Sequence, residues 1–176
     1  MTLKEAHGDR AQFLVTFNPD YQKKICHNKR ECHLGNYPTL ARMKNEYGDN
    51  MPFAWLLPQL YDLSEYCGCK EKLKGRPLEQ CADVIAAEYY FLKISELMLF
   101  FHYFKSGRYG RFYGSVDPIV ITSSLLDFIR ERNHLITLYE QEQRELREAE
   151  ERKANPPISW EEYCRMKGIN KPNPLT

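Results

Sequence analysis

The sequence has little of what marks an exported, membrane-spanning or nucleotide-hydrolysing protein. No amino-terminal stretch combines a basic start, an apolar centre and a small-residue exit, so no signal peptide is expected. The longest apolar concentration, Ile94 to Phe104, contains Ser95, Glu96 and His102 and is far too short to cross a bilayer. Formal net charge is only +1 over 176 residues. Nothing therefore draws the whole chain to nucleic acid or anionic lipid, and any such binding must come from a local patch. These absences predict a cytoplasmic protein with no membrane partner, whose six cysteines stay reduced.

Active-site motifs are equally scarce. No Gly-x-Ser-x-Gly turn occurs, which leaves a nucleophilic triad unsupported. No Gly-Lys-Ser/Thr follows the glycines at 107–114, so that loop is not a nucleotide cradle. His102 lies inside an apolar segment and reads as a hydrogen-bonded core histidine rather than a base. Glu88 and Glu96 bracket a helix junction, an ordinary place for carboxylates. The metal-capable groups are Cys26-His27, Cys32-His33 and Cys67-Gly-Cys69. Zinc favours pairs roughly two to four residues apart, whereas the intervening residues here number five and one. Loop cysteines and solvated histidines are the expected reading, although spacing alone leaves open whether Cys26, Cys32, Cys67 and Cys69 ligate a metal. Cys81 lies on an apolar helical face and reads as a small core residue. No cofactor and no enzymatic activity are expected.

What the chain does contain is enough apolar matter for a core: 43% hydrophobic and 13% aromatic residues. Residues 1–37 read as a basic amino-terminal arm. Within it Ala11 to Phe17, rich in β-branched and aromatic residues, is predicted as one short strand, and Asn18 to Gly35 shows no period. A helical core domain is expected over 38–138. Thr39 to Tyr47 forms a short helix closed by Gly48, and a second runs from Pro52 to Cys67, kinked or split at Pro58. A third opens at Pro77, with Leu78, Cys81, Ala82, Ile85 and Tyr89 at amphipathic spacings. Ser95 caps a fourth, Glu96 to Lys105, apolar nearly all round and so the buried central helix. Gly107 is its left-handed stop.

Asp117-Pro118 starts a long helix to about Ala154. Its first half offers Ile121, Leu125, Phe128, Ile129 and Ile136 to the core. Its second half carries opposite charges four apart, Glu140/Arg144, Arg144/Glu148, Arg147/Glu151 and Glu148/Arg152. It lacks the apolar seam of a self-associating coiled coil. Residues 139–176 thus form a charged helical extension, a short helix capped by Ser159-Trp-Glu-Glu162 and closed by Gly168, and a disordered tail from Asn170. The fold class is all-α: a helical bundle with one long C-terminal helix.

The richest segment is the loop after the fourth helix. Residues 104–118 bring together Gly107, Gly110 and Gly114, the cations Lys105, Arg108 and Arg111, and the aromatics Phe104, Tyr109, Phe112 and Tyr113. Cations for phosphates and rings for unpaired bases are the combination of single-strand binders. Lys105, Arg108 and Arg111 are therefore candidate phosphate contacts, and Tyr109, Phe112 and Tyr113 candidate stacking surfaces. The alternative is structural: Phe112 and Tyr113 anchor the loop to the core and the glycines serve turns.

The run Ile94 to Pro118, with Phe128-Ile-Arg-Glu-Arg-Asn133 after it, resembles a family of uncharacterised small proteins of bacterial phages and mobile elements, over roughly Leu78 to Asn133. That resemblance implies no activity. The helical layout is also loosely similar to phage replication accessory proteins that act on the replicative helicase, a likeness of size and layout rather than motif. The resulting expectation is a non-enzymatic accessory protein that binds nucleic acid or a replication protein through residues 105–114. The alternative is a protein-binding adaptor using the C-terminal helices. The sequence fixes neither the partner nor the oligomeric state.

Overall fold

The computed structural model describes residues 2–156 and 158–168, and it is all-α. Ten α-helices follow one another: α1 Leu3–His7, α2 Arg10–Thr16, α3 Gln22–Ile25, α4 Lys29–Leu34, α5 Leu40–Tyr47, α6 Met51–Tyr66, α7 Arg76–Glu88, α8 Ile94–Lys105, α9 Pro118–Ala154 and α10 Trp160–Lys167. A 3-10 turn, Pro19–Tyr21, joins α2 to α3. The chain divides into two units, Met1–His134 and Leu135–Thr176.

The amino-terminal segment is not an extended arm, and Ala11 to Phe17 is not a strand. Asp9 accepts from the Gln12 amide at 2.9 Å while Gln12 Oε1 accepts from the Asp9 amide at 2.8 Å. This reciprocal capping box starts α2. Helical spacing then sets Phe13 and Phe17 on one face, and both are buried in the main core. Each such ring stabilises by roughly 1.5–3 kcal/mol on burial. Ile25, Cys26 and Cys32 join the same core. Trp55 Nε1 and Gln59 Nε2, both on α6, donate to the Phe17 carbonyl at 2.8 and 3.1 Å.

Helix α8 is buried along Ile94 to Phe101 and packs against α3, α4 and α6. Its cap is not Ser95. Lys93 holds the capping position in extended conformation, and its amide donates to Glu96 Oε2 at 3.0 Å. The Ser95 hydroxyl, two residues past the capping position, donates instead to the Cys32 carbonyl at 2.6 Å. Pro58 does not split the second predicted helix, since α6 is continuous from Met51 to Tyr66. Helix α9 starts where Asp117 Oδ1 accepts from the Ile119 amide at 2.8 Å. It gives Ile121, Leu125 and Phe128 to the core, with Ile129 packed at its edge.

In the second unit, one of the four expected charge pairs closes, Glu148 to Arg152 at 3.1 Å. Arg147 Nε turns to the Gln143 carbonyl at 3.2 Å. Helix α10 has the expected Ser159 capping box and a left-handed Gly168 after it. The tail expected to be disordered from Asn170 lies outside the described residues. No helix among the described residues is long and apolar enough to cross a membrane.

Candidate functional site

The loop after α8 is built on its glycines. Gly107 has φ 81° and Gly110 φ 89°, a region that L side chains rarely enter. The Gly107 amide donates to the Phe104 carbonyl at 3.0 Å and the Arg108 amide to the Tyr103 carbonyl at 3.1 Å. Together these are the paired bonds that turn a helix end back on itself. A Cβ at either glycine would meet open space, so the backbone angle, not close approach of another chain, requires glycine there.

This turn divides the six candidate residues into two groups. Four serve the fold. Lys105 Nζ donates to Gln22 Oε1 at 3.0 Å and is ion-paired with Asp62. Gln22 Nε2 in turn donates to Gln59 Oε1 at 2.8 Å, so Lys105 ends a polar chain that ties the amino-terminal segment to α6 and α8. Arg108 Nη2 donates to Glu131 Oε2 at 2.7 Å, and its guanidinium lies 4.4 Å from the centre of the Tyr103 ring. Tyr109 packs between Phe100 and Phe104 at 5.4 and 5.5 Å, and burial pushes its phenol pKa up. Phe112 stacks on Phe104 at 5.2 Å.

The other two face water. Arg111 is exposed and makes no ion pair, and Tyr113 is 90% exposed. The structural alternative from sequence, with Phe112 and Tyr113 as anchors, holds for Phe112 and fails for Tyr113, and Tyr109 is the second anchoring ring. Sequence offered no way to see that Lys105 and Arg108 find carboxylates 43 and 23 residues away.

The site also has a neighbour that periodicity could not reveal. The Glu71 amide donates to the Gly114 carbonyl, and the Val116 amide to the Glu71 carbonyl, each at 3.1 Å. Residue 71 is thus bracketed by 114 and 116 in an isolated parallel bridge. The basic loop of Lys70, Lys72, Lys74 and Arg76 is thereby laid alongside the glycine-rich loop.

The chemistry weighed elsewhere does not assemble. Among the described residues no group of three or more His, Cys, Asp or Glu is placed to hold a metal ion. The expectation of solvated histidines fails at His33, which is 6% exposed and lies 3.2 Å from Glu96. The opposite expectation fails at His102, a core histidine by sequence. It is exposed, because the apolar stripe of α8 leaves one polar position outward at that turn. Partial burial and the nearby Lys105 and Lys29 hold its pKa down. Cys26 and Cys32 are core thiols, and Cys26 is held well above the ordinary thiol range by its hydrogen bond with Cys32 and by burial. Burial alone pushes Cys81 up to about 12. Cys26 and Cys81, held protonated in this way, are poor nucleophiles, whereas the hydrogen bond from Cys26 pulls the Cys32 thiol the other way, below its ordinary value.

Residues 75–172 match a family model described as a family of unknown function (DUF6633). The match takes in the whole of the glycine-rich loop and the stretch from Leu78 to Asn133. No curated protein and no solved structure matches the chain.

Proposed function

We propose a function from the site itself, because the chain belongs to a family of unknown function (DUF6633) and inherits no activity from it. The protein binds nucleic acid, single strands in preference to duplex, as a non-enzymatic accessory protein of a phage or mobile element. The observation that carries this reading is Tyr113, a large ring 90% exposed at the tip of a loop fastened by Tyr109 and Phe112. Unpaired Arg111 stands two residues away. A solvated ring on an anchored loop, beside a free cation, fits an unpaired base and its phosphate, and stacking on such a ring is worth about 1–3 kcal/mol per base.

The test is fluorescence anisotropy of labelled single- and double-stranded oligonucleotides at two salt concentrations. Salt-sensitive binding to single strands, lost in Arg111→Ala/Tyr113→Ala, is expected. No binding at low salt overturns the reading.

A second reading, the protein-binding adaptor, has one observation in its favour. On α10, Trp160 is 68% and Met166 76% exposed, and large apolar side chains gathered on one short helix mark contact surfaces. Under that reading the partner is a replication or other host protein. Truncation after Leu138 then abolishes partner capture and leaves oligonucleotide binding, if any, untouched.

A further inference from the structure

We infer that the anion-binding surface is not the glycine-rich loop alone but a two-segment platform, in which Lys70, Lys74 and Arg76 act together with Arg111 on the phosphodiester backbone of one single strand. This rests on the nucleic-acid reading above and extends it to residues that the sequence did not connect with the loop.

The juxtaposition is made by the backbone. Two hydrogen bonds of 3.1 Å, Glu71 to Gly114 and Val116 to Glu71, hold the segments at the spacing of neighbouring strands, roughly 5 Å. The tie is fixed at both ends by burial, since Leu73 and Val116 both belong to the core. The cations around it are therefore carried on a fixed frame.

The fold uses only one of the four cations of the second loop. Lys72 donates to the Glu65 carbonyl at 3.1 Å and pairs with the Glu65 carboxylate at 3.5 Å. Lys70, Lys74 and Arg76 are exposed and make no ion pair or hydrogen bond through their side chains. Two of them are unfavourable for the helix beside them. Arg76 is the first residue of α7 and Lys74 precedes its cap, Gly75. Cations at that end oppose the helix dipole by about 0.3–1 kcal/mol each. Folding gives no reason for them, whereas a polyanion does.

The nearby acids are fewer. Asp117 is occupied in capping α9, and the Glu71 carboxylate is exposed and unpaired. Four free cations therefore outnumber two free carboxylates, Glu71 and Glu79 in the first turn of α7, in a chain whose overall charge is almost zero.

The experiment measures single-strand affinity against salt for the full chain, for Lys70→Gln/Lys74→Gln/Arg76→Gln and for Arg111→Ala/Tyr113→Ala, with thermal melting by circular dichroism as the folding control. Each lost phosphate contact lowers the slope of log K against log salt by about 0.7 for single strands. The triple variant is expected to bind more weakly across oligonucleotide sequences, with a slope shallower by about 2, at an unchanged melting temperature. Glu71→Gln is expected to bind more tightly. A triple variant with wild-type affinity and slope, where Arg111→Ala/Tyr113→Ala has lost binding, overturns the platform and leaves the loop reading standing. Loss in the triple variant with none in Arg111→Ala/Tyr113→Ala overturns the joint surface as well. A wild-type chain that binds no oligonucleotide overturns both.

Discussion

Arg132 Nε donates to Glu96 Oε1 at 2.6 Å, the same oxygen that His33 Nδ1 meets at 3.2 Å. The other oxygen of Glu96 accepts from the Lys93 amide at 3.0 Å. Glu96 has no exposure at all, so one sequestered carboxylate joins α4, α8 and α9. Lys93 Nζ reinforces the junction by donating to the His33 and Gly35 carbonyls at 2.7 and 2.9 Å. Removing one partner of a buried charge pair costs about 3–5 kcal/mol, because the other is left uncompensated. Glu96→Ala is expected to lose stability in that range, read as a shift in the urea midpoint. A loss no larger than that of an exposed substitution refutes the junction.

The same carboxylate sets an acid limit on stability. Burial pushes the Glu96 pKa up, but the hydrogen bonds from His33, the Lys93 amide and Arg132 outweigh it and hold the group below its ordinary value of 4.5. A folded-state pKa below the unfolded one contributes stability that is complete above pH 4.5 and is lost as pH falls through the lower native value. Melting temperature in the wild type should therefore decline below pH 4.5 more steeply than in Glu96→Gln, which has no carboxylate to protonate. Parallel declines would show that other carboxylates govern the acid transition.

Tyr109 presents a different imbalance. Its hydroxyl is buried with no hydrogen-bond partner, while its ring packs on Phe100 and Phe104. An unsatisfied buried hydroxyl costs about 1–3 kcal/mol. Tyr109→Phe keeps the ring and removes that cost, so it should equal or exceed the wild type in stability and bind oligonucleotides unchanged. A destabilised Tyr109→Phe would mean that the hydroxyl has a partner in solution, and weakened binding would return Tyr109 to the stacking surface.

The amino-terminal segment carries part of the core, so it should not be dispensable. Phe13 and Cys32 are fully buried, and Phe17 nearly so. Phe13→Ala is expected to cost about 3–5 kcal/mol, and a chain beginning at Gly35 should show no cooperative melting transition. A cooperative melt in that truncated chain would restore the independent arm.

Most of the helices after residue 38 were legible because each carried two agreeing signals, a cap and an apolar period. Helices α9 and α10 show this, with Asp117-Pro118 at the start of one and Ser159 and Gly168 at the ends of the other. Three of the four amino-terminal helices, α1, α2 and α4, carried the first signal without the second. Thr2 with Glu5 and Asp9 with Gln12 are capping boxes, and Asn28 caps α4 through the Glu31 amide at 3.1 Å. Those helices have 5–7 residues, too few to display a period, so the β-branched and aromatic content of Ala11 to Phe17 decided wrongly. The composition of the candidate loop was also legible. Its neighbour was not, because a single backbone bridge between residues 71 and 115 leaves no pattern in either segment. Nor did sequence pair Lys105 with Asp62 or Arg108 with Glu131, contacts that depend on the finished packing.

Those two pairs separate cations that hold the fold from cations free to bind. Lys105 is largely buried, and its loss would leave Asp62 and Gln22 without their donor. An unsatisfied group of this kind costs about 1–3 kcal/mol. Arg111 has no partner to lose, and substitutions at such positions stay within about 0.5 kcal/mol. Lys105→Ala should therefore lower the melting temperature while leaving oligonucleotide affinity unchanged, and Arg111→Ala should do the reverse. Arg108→Ala belongs with Lys105 but with a smaller stability loss, since its pair with Glu131 is close to half exposed and screened. If Lys105→Ala instead weakens binding at unchanged stability, the ammonium leaves Asp62 for a phosphate when the strand arrives. The ion pair would then be a latch on the site, not a strut of the fold.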